Sequence, residues 1–168
     1  MIPFARLFRH WMNTPRAVAK AFPPATLEAI QSAIAAAEER HSGEIRFAVE
    51  GSLPWSYLRR DAAPRERAWM VFSKLRVWDT ELNNGVLIYV ELADRNVEIV
   101  ADRGAARRIP KADWQAIADG MRERFRAGEF EAGSLEAIRA VGERLASEFP
   151  LEASAANRNE LSNRPALL

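Results

Sequence analysis

Asp79-Thr80-Glu81-Leu82-Asn83-Asn84-Gly85 runs without a break into Val86-Leu87-Ile88-Tyr89-Val90, and this junction decides the fold. Five consecutive apolar residues after a polar, glycine-ended loop read as a strand buried on both faces, the pattern of a central position in a sheet. A second run, Val97–Ala101, alternates apolar and polar residues. Between the two lies Ala93-Asp94-Arg95-Asn96, whose polar residues suit a tight turn. The expectation is a central strand over Val86–Leu92 with Val97–Ala101 antiparallel beside it. Pairing around that turn places Gly85 opposite about Gly104 and Leu87 opposite about Asp102.

Working outward, Thr26 reads as the N-cap of a helix through about Arg40, with Leu27, Ile30, Ile34 and Ala37 on one face. Ser42-Gly43 ends it. Ile45, Phe47 and Val49 then alternate with Arg46, Ala48 and Glu50, a strand with one buried and one mixed face. Gly51 and Pro54 open a loop to about Ala63, and Pro64 suits the first turn of a helix that packs through Ala68, Val71, Phe72 and Leu75. Beyond Gly104, Pro110 opens a helix carrying Trp114, Ile117, Met121 and Phe125, and Gly128 stops it. A last helix from about Ser134 to Phe149 carries Ile138, Val141 and Leu145 and ends at Pro150. This order predicts an α/β protein: a small mixed sheet sandwiched by helices (α/β/α), its first two strands parallel through a right-handed crossover. Three regions are expected: a basic amphipathic helical arm over residues 1–22, the α/β/α domain over 23–150, and a flexible tail over 151–168.

At 168 residues the chain fits one domain, large enough to bury roughly 68–70% of its unfolded surface without a metal or disulfide to hold it. Cysteine is absent, which excludes thiol catalysis, thiolate metal sites and redox switching. With 24 basic and 23 acidic residues, no global field favours nucleic acid, and none is expected as a partner. Apolar runs fall far short of the roughly 20 residues a membrane helix needs, so a soluble protein is expected.

The N-terminal arm departs from this balance. Arg6, Arg9, Arg16 and Lys20 precede the first carboxylate, Glu28, with Ile2, Phe4, Leu7, Phe8, Trp11 and Met12 interleaved. Arg6, Arg9 and His10 interrupt any signal-peptide core, so the segment is expected to be retained. Residues 1–20 can lie on an anionic membrane surface or pack a Leu7/Trp11 side against the domain. The second reading leads: a docked helix with Trp11 buried, membrane contact secondary.

The predicted topology gathers Asp79, Glu81, Asn83, Asn84 and Asp102, together with Glu44, at one end of the sheet. Such carboxylates repel unless a cation, an arginine or a proton intervenes, and oxygen-only ligands select Ca²⁺ or Mg²⁺. An EF-hand is excluded, because counting from Asp79 the glycine position holds Asn84 and the twelfth holds Val90. The competing reading is turn chemistry: Asp79 capping the preceding helical region, Asn83-Asn84-Gly85 turning, and Asp102 paired with Arg103 or Arg107. Arg103, Arg107 and Arg108 beside the loop suit a phosphate or carboxylate clamp, or plain ion pairs with Asp102 and Glu81. No phosphate-binding loop, Gly-x-Ser-x-Gly elbow or His-Glu-x-x-His pair occurs. His10 and His41 read as structural, and Trp69, Trp78 and Trp114 as core.

Asn84-Gly85-Val86-Leu87-Ile88, Ala93-Asp94-Arg95, Val97-Glu98-Ile99 and the run from Phe125 to Gly133 together resemble the TPM-domain family. That family includes thylakoid-lumen proteins of photosystem II repair, an auxiliary subunit of a nematode receptor channel and bacterial envelope proteins. The resemblance covers roughly Leu27 to Phe149. It implies an α/β/α sandwich, divalent-cation binding as in some members and weak acid phosphatase activity as ascribed to some. The family's Asn-Gly falls on Asn84-Gly85 and its Asp-Arg turn on Asp94-Arg95. Its Gly-x-Gly becomes Asp102-Arg103-Gly104, which adds a carboxylate and puts a shared phosphate pocket in doubt. The common pattern of signal peptide, domain and membrane anchor is not followed, so beside the family the chain looks like a cytoplasmic branch, one that can rest peripherally on the inner membrane through its basic arm. The leading expectation is an accessory module that binds Ca²⁺ or Mg²⁺ through Asp79, Glu81, Asn83, Asn84 and Asp102. It engages an unidentified protein partner in assembly or quality control near a membrane, with Glu44, Asp94, Arg103 and Arg107 as further binding residues. The alternative is a metal-dependent phosphomonoesterase with Asp79, Glu81 and Asp102 on the metal and Arg103 or Arg107 on the phosphate.

Overall fold

The computed structural model describes residues 6, 8, 10, 11, 15–151 and 159–168. Arg6, Phe8, His10 and Trp11 are helical. The chain continues as α1 (Pro15–Ala21), α2 (Pro24–Glu38), β1 (Glu44–Glu50), α3 (Trp55–Leu58), α4 (Pro64–Lys74), β2 (Gly85–Glu91) and β3 (Asn96–Ala101). There follow α5 (Arg103–Arg108), α6 (Lys111–Arg126), α7 (Phe130–Glu148) and β4 (Ala166–Leu167). The sheet order is β3-β2-β1-β4. β1 is parallel to β2 and to β4, and β2 is antiparallel to β3.

Period-two alternation sends the two sides of the sheet into separate cores. Ile45, Phe47, Val49, Val86, Ile88 and Val90 pack with α2, α6 and α7 through Ile30, Ile34, Met121, Phe125, Ile138 and Leu145. Ala48, Leu87, Tyr89 and Val100 pack with Ala68, Val71 and Phe72 of α4. This is the expected sandwich. β1 has no mixed face, because all seven of its residues are buried.

Several further sequence expectations are corrected. Pro23, not Thr26, is the N-cap of α2, since Pro24 already fits the first helical turn; Thr26 donates its hydroxyl to Glu131 at 2.5 Å. The hairpin register is Leu87 with Val100, and not Asp102. The turn occupies residues 92–95, where Arg95 takes a left-handed conformation (φ 53°) and donates its N–H to the Leu92 carbonyl. The pairing therefore slips by two, which preserves every side chain's face. The segment after Asp102 is helical (α5), with Asp102 as N-cap. The tail is not loose over residues 159–168: Ala166 and Leu167 pair with Ala48 and Val49, and the Leu168 N–H reaches the Val49 carbonyl. Residues 152–158 lie outside the described residues.

In the arm, Trp11 is 74% exposed, contrary to expectation, while His10 is buried. Among the described residues of the arm, polar contacts anchor it where a Trp11 contact was expected. Arg6 and His10, one helical turn apart, hold the arm to the β2–β3 turn through Asp94, and Arg6 also pairs with Asp61. Leu7, Arg9 and Met12 lie outside the described residues. Trp69 and Trp78, expected in the core, are about half exposed, whereas Trp114 is buried.

Candidate functional site

Because β1 and β2 are parallel, the sheet has one end where both strands begin and one where both finish. The beginning end holds part of the predicted site. Glu44 is level with Gly85, the Asp102 N–H reaches the Gly85 carbonyl at 2.8 Å, and the Gly104 N–H reaches Asn83 at 2.8 Å. These contacts need glycine: a Cβ on Gly85 would meet the Val77 carbonyl oxygen at 2.0 Å, and one on Gly104 the Asn83 and Leu82 oxygens at 2.6 Å. Asn84 and Asp102 converge here, both buried. Asn84 donates Nδ2 to the Ser42 carbonyl, and Asp102 Oδ1 caps α5 through the Arg103 N–H at 2.7 Å. Asn84 Oδ1 and Asp102 Oδ2 are buried without a hydrogen-bond partner among the described residues.

The other predicted residues are turned to different tasks. Asp79 pairs with Arg76 at the surface. Exposed Glu81 donates its N–H to Glu160. Asn83 sits at φ 53° and accepts from Arg103 at 3.4 Å. Arg107 is exposed in α5. The Glu44 carboxylate, buried, accepts the N–H groups of Glu160 and Leu161 and so clamps the C-terminal segment.

The finishing end carries a denser constellation that the sequence reading passed over. Glu50 and Glu91 close β1 and β2 side by side. Glu50 is held by a bidentate Arg67, with Nε at 2.9 Å and Nη2 at 2.6 Å, and accepts the Tyr89 hydroxyl at 2.5 Å. Burial, reinforced by the Glu50 charge, raises the Tyr89 hydroxyl well above its ordinary range. The Glu91 carboxylate accepts the N–H of Ala93 at 2.9 Å and of Asp94 at 3.0 Å, which closes the turn. Burial first, and then the Asp94 charge, push its pKa up to about 8. His10 lies over these groups, with Nε2 3.2 Å from Asp94 Oδ2 and Nδ1 3.9 Å from Glu91 Oε1. One ligand atom each from His10, Glu91 and Asp94 lies within 4.8 Å of the others. Asp94 was expected to bind; His10 was read as structural, and Glu91 was read only as strand. A readable signal existed in the carboxylate at the end of an otherwise apolar strand.

The hydrogen bonds to His10 fall on Nδ1, and Nε2 has no hydrogen-bond partner among the described residues. His10 Nδ1 accepts the Leu53 N–H at 3.1 Å, so the ring proton sits on Nε2, facing Asp94. A cation on Nε2 requires that proton to move to Nδ1, where Ser52 Oγ at 3.0 Å can accept it. It also competes with Arg6, whose Nε donates to Asp94 at 2.7 Å. The donor set fits a divalent ion, at the cost of one backbone hydrogen bond. Imidazole with two carboxylates is a mixed nitrogen and oxygen donor set, unlike the all-oxygen loop expected for Ca²⁺ or Mg²⁺.

A family profile for the TPM domain matches residues 17–144. The fold is similar to the NMR structure of BA42 protein from the psychrophilic bacterium Bizionia argentinensis, at 31% identity and a TM-score of 0.74, covering 85% of this chain and 92% of that one. No curated protein matches the chain. Among the described residues no helix is long and apolar enough to cross a membrane.

Proposed function

This chain belongs to the TPM-domain family, and from that premise we propose that it is a cation-binding interaction module of protein assembly or quality control. The observation that supports this reading is the convergence of His10, Glu91 and Asp94 donor atoms within 4.8 Å at the finishing ends of two parallel strands. In open α/β sheets this is the end where ligands bind. When bound, a divalent ion supplies positive charge to a corner crowded with carboxylates. The chain's own residues do the rest. Arg67 and Tyr89 keep Glu50 neutralised behind the site, the turn amides orient Glu91, and His10 ties the arm to the domain. Trp11 stands exposed on the arm, with Arg16 exposed further on, which favours a partner surface that is apolar and anionic.

Calorimetry on the full chain with Mn²⁺, Zn²⁺, Ca²⁺ and Mg²⁺ tests the reading. One Mn²⁺ or Zn²⁺ per chain is expected, weakened at least tenfold by His10→Gln and unchanged by Asp102→Ala. Loss of binding through Asp102→Ala alone would move the cation to the Asn84 and Asp102 end. Turnover of a generic phosphate ester, abolished by Asp102→Ala, would replace the module with the metal-dependent phosphatase.

A further inference from the structure

A cavity of about 660 Å³ lies between the arm, the β2–β3 turn and the corner joining α6 to α7. Its size falls within the roughly 300–1,000 Å³ of small-molecule sites. Its wall is largely aromatic and aliphatic: Phe8 from the arm, Leu92 from the turn, and Phe125 and Phe130, whose ring centroids stand 4.9 Å apart. Three ionisable residues share this lining: Lys20 from α1, Arg95 from the tip of the turn, and the buried Glu91, whose carboxyl is turned to the Ala93 and Asp94 N–H groups. Among the described residues neither cation has an ion-pair partner, although the neighbouring Arg6 and Asp94 pair with each other.

A largely apolar chamber with two cations outside any ion pair, and with its one carboxyl engaged by turn amides, is complementary to one kind of small molecule, an apolar body with an anionic head. We propose that this cavity binds a single-chain anionic amphiphile, its alkyl chain against Phe8, Leu92, Phe125 and Phe130 and its carboxylate or phosphate head between Lys20 and Arg95. Burial of the chain supplies affinity in proportion to apolar area removed from water, and the two cations select charged heads over neutral ones. The left-handed backbone at Arg95 places this side chain at the hairpin tip, independent of the strand's pleat. Glu91 is common to this lining and to the candidate cation site, but the positive charge for the head group comes from Lys20 and Arg95, so binding is tested with no cation present.

The test uses the full chain in chelator, with dodecanoate, dodecyl phosphate and dodecanol below their micellar concentrations. Binding is followed by calorimetry and by amide shifts. Dodecanoate and dodecyl phosphate are expected to bind one per chain, at least tenfold more tightly than dodecanol, with shifts at residues 91–95 and 125–130. Lys20→Gln with Arg95→Gln should remove the preference for a charged head. Ala21→Trp, which fills the partly exposed wall of the cavity, should block all three ligands while the amide spectrum elsewhere stays native. Equal affinity for all three ligands would overturn the head-group assignment, and unaltered binding by Ala21→Trp would overturn the cavity. Capture by phosphatidylglycerol vesicles with no response to soluble dodecanoate would overturn both in favour of adsorption through the arm. Because chelator is present throughout, failure here leaves the cation reading standing, and the converse also holds.

Discussion

Replacing Glu91 with glutamine should change how the protein's stability depends on pH. Glu91 is fully buried, and its pKa is raised from an ordinary 4.5 to about 8 by burial and by the Asp94 charge. The unfolded chain releases this proton near pH 4.3. Between the two values the folded protein holds one proton more than the unfolded chain, so stability falls as pH rises, by at most about 1.4 kcal/mol per pH unit. Over roughly two and a half units, from about pH 5 to about pH 7.5, the ceiling is about 3.4 kcal/mol. Relaxation and water entry lower such penalties, and about 1–2 kcal/mol is expected. For a chain of this length that is about 2–8 °C of melting temperature. Glu91→Gln keeps an acceptor oxygen for the Ala93 and Asp94 N–H groups but cannot titrate. Glu38, also pushed to about 8 chiefly by burial, contributes the same slope to both proteins. The reading is therefore the difference between the two melting curves, measured with chelator at half-unit intervals. The variant should gain on the wild type steadily across that window. Parallel curves would refute the reasoning, because they would mean that Glu91 is already ionised in the fold.

Arg67→Ala strands the buried Glu50 carboxylate and should cost about 3–5 kcal/mol in urea unfolding; a loss below about 1 kcal/mol would contradict the buried pair. Gly85→Ala drives a Cβ onto the Val77 carbonyl and should destabilise by more than about 2 kcal/mol. Gly120→Ala, with nothing near its Cβ inside α6, should stabilise by about 0.5–1 kcal/mol, and calorimetric melting of the pair checks the contrast. Deleting residues 159–168 removes β4 and two N–H donors from Glu44; hydrogen exchange should then lose protection selectively along β1.

The long-range frame was legible because it rests on apolar periodicity. Val86 to Val90, the alternation of Ile45, Phe47 and Val49, and the proline and glycine boundaries at Pro64, Pro110 and Gly128 all appear where the pattern put them. Short-range polar chemistry was less legible. The hairpin slipped because the Glu91 carboxylate organises the turn amides, an effect no alternation reveals. β4 was hidden because a two-residue strand carries no period, and what docks it is the Glu44 side chain far away in sequence. At the predicted site, Asn84 and Asp102 came together because strand register alone places them. Asp79 went elsewhere because Arg76, three residues before it, was a nearer partner. The His10 corner depends on an arm folding back 81 to 84 residues along the chain onto Glu91 and Asp94, and spacing in sequence holds no trace of that.

The most direct test of a cation at the His10 corner is paramagnetic broadening of the full chain's NMR signals by substoichiometric Mn²⁺. Selective broadening of the His10 ring and of the amides at residues 91–95, lost in His10→Gln, is the expected result. Broadening centred on Asn84 and Asp102, or none beyond that given by free Mn²⁺, would contradict it.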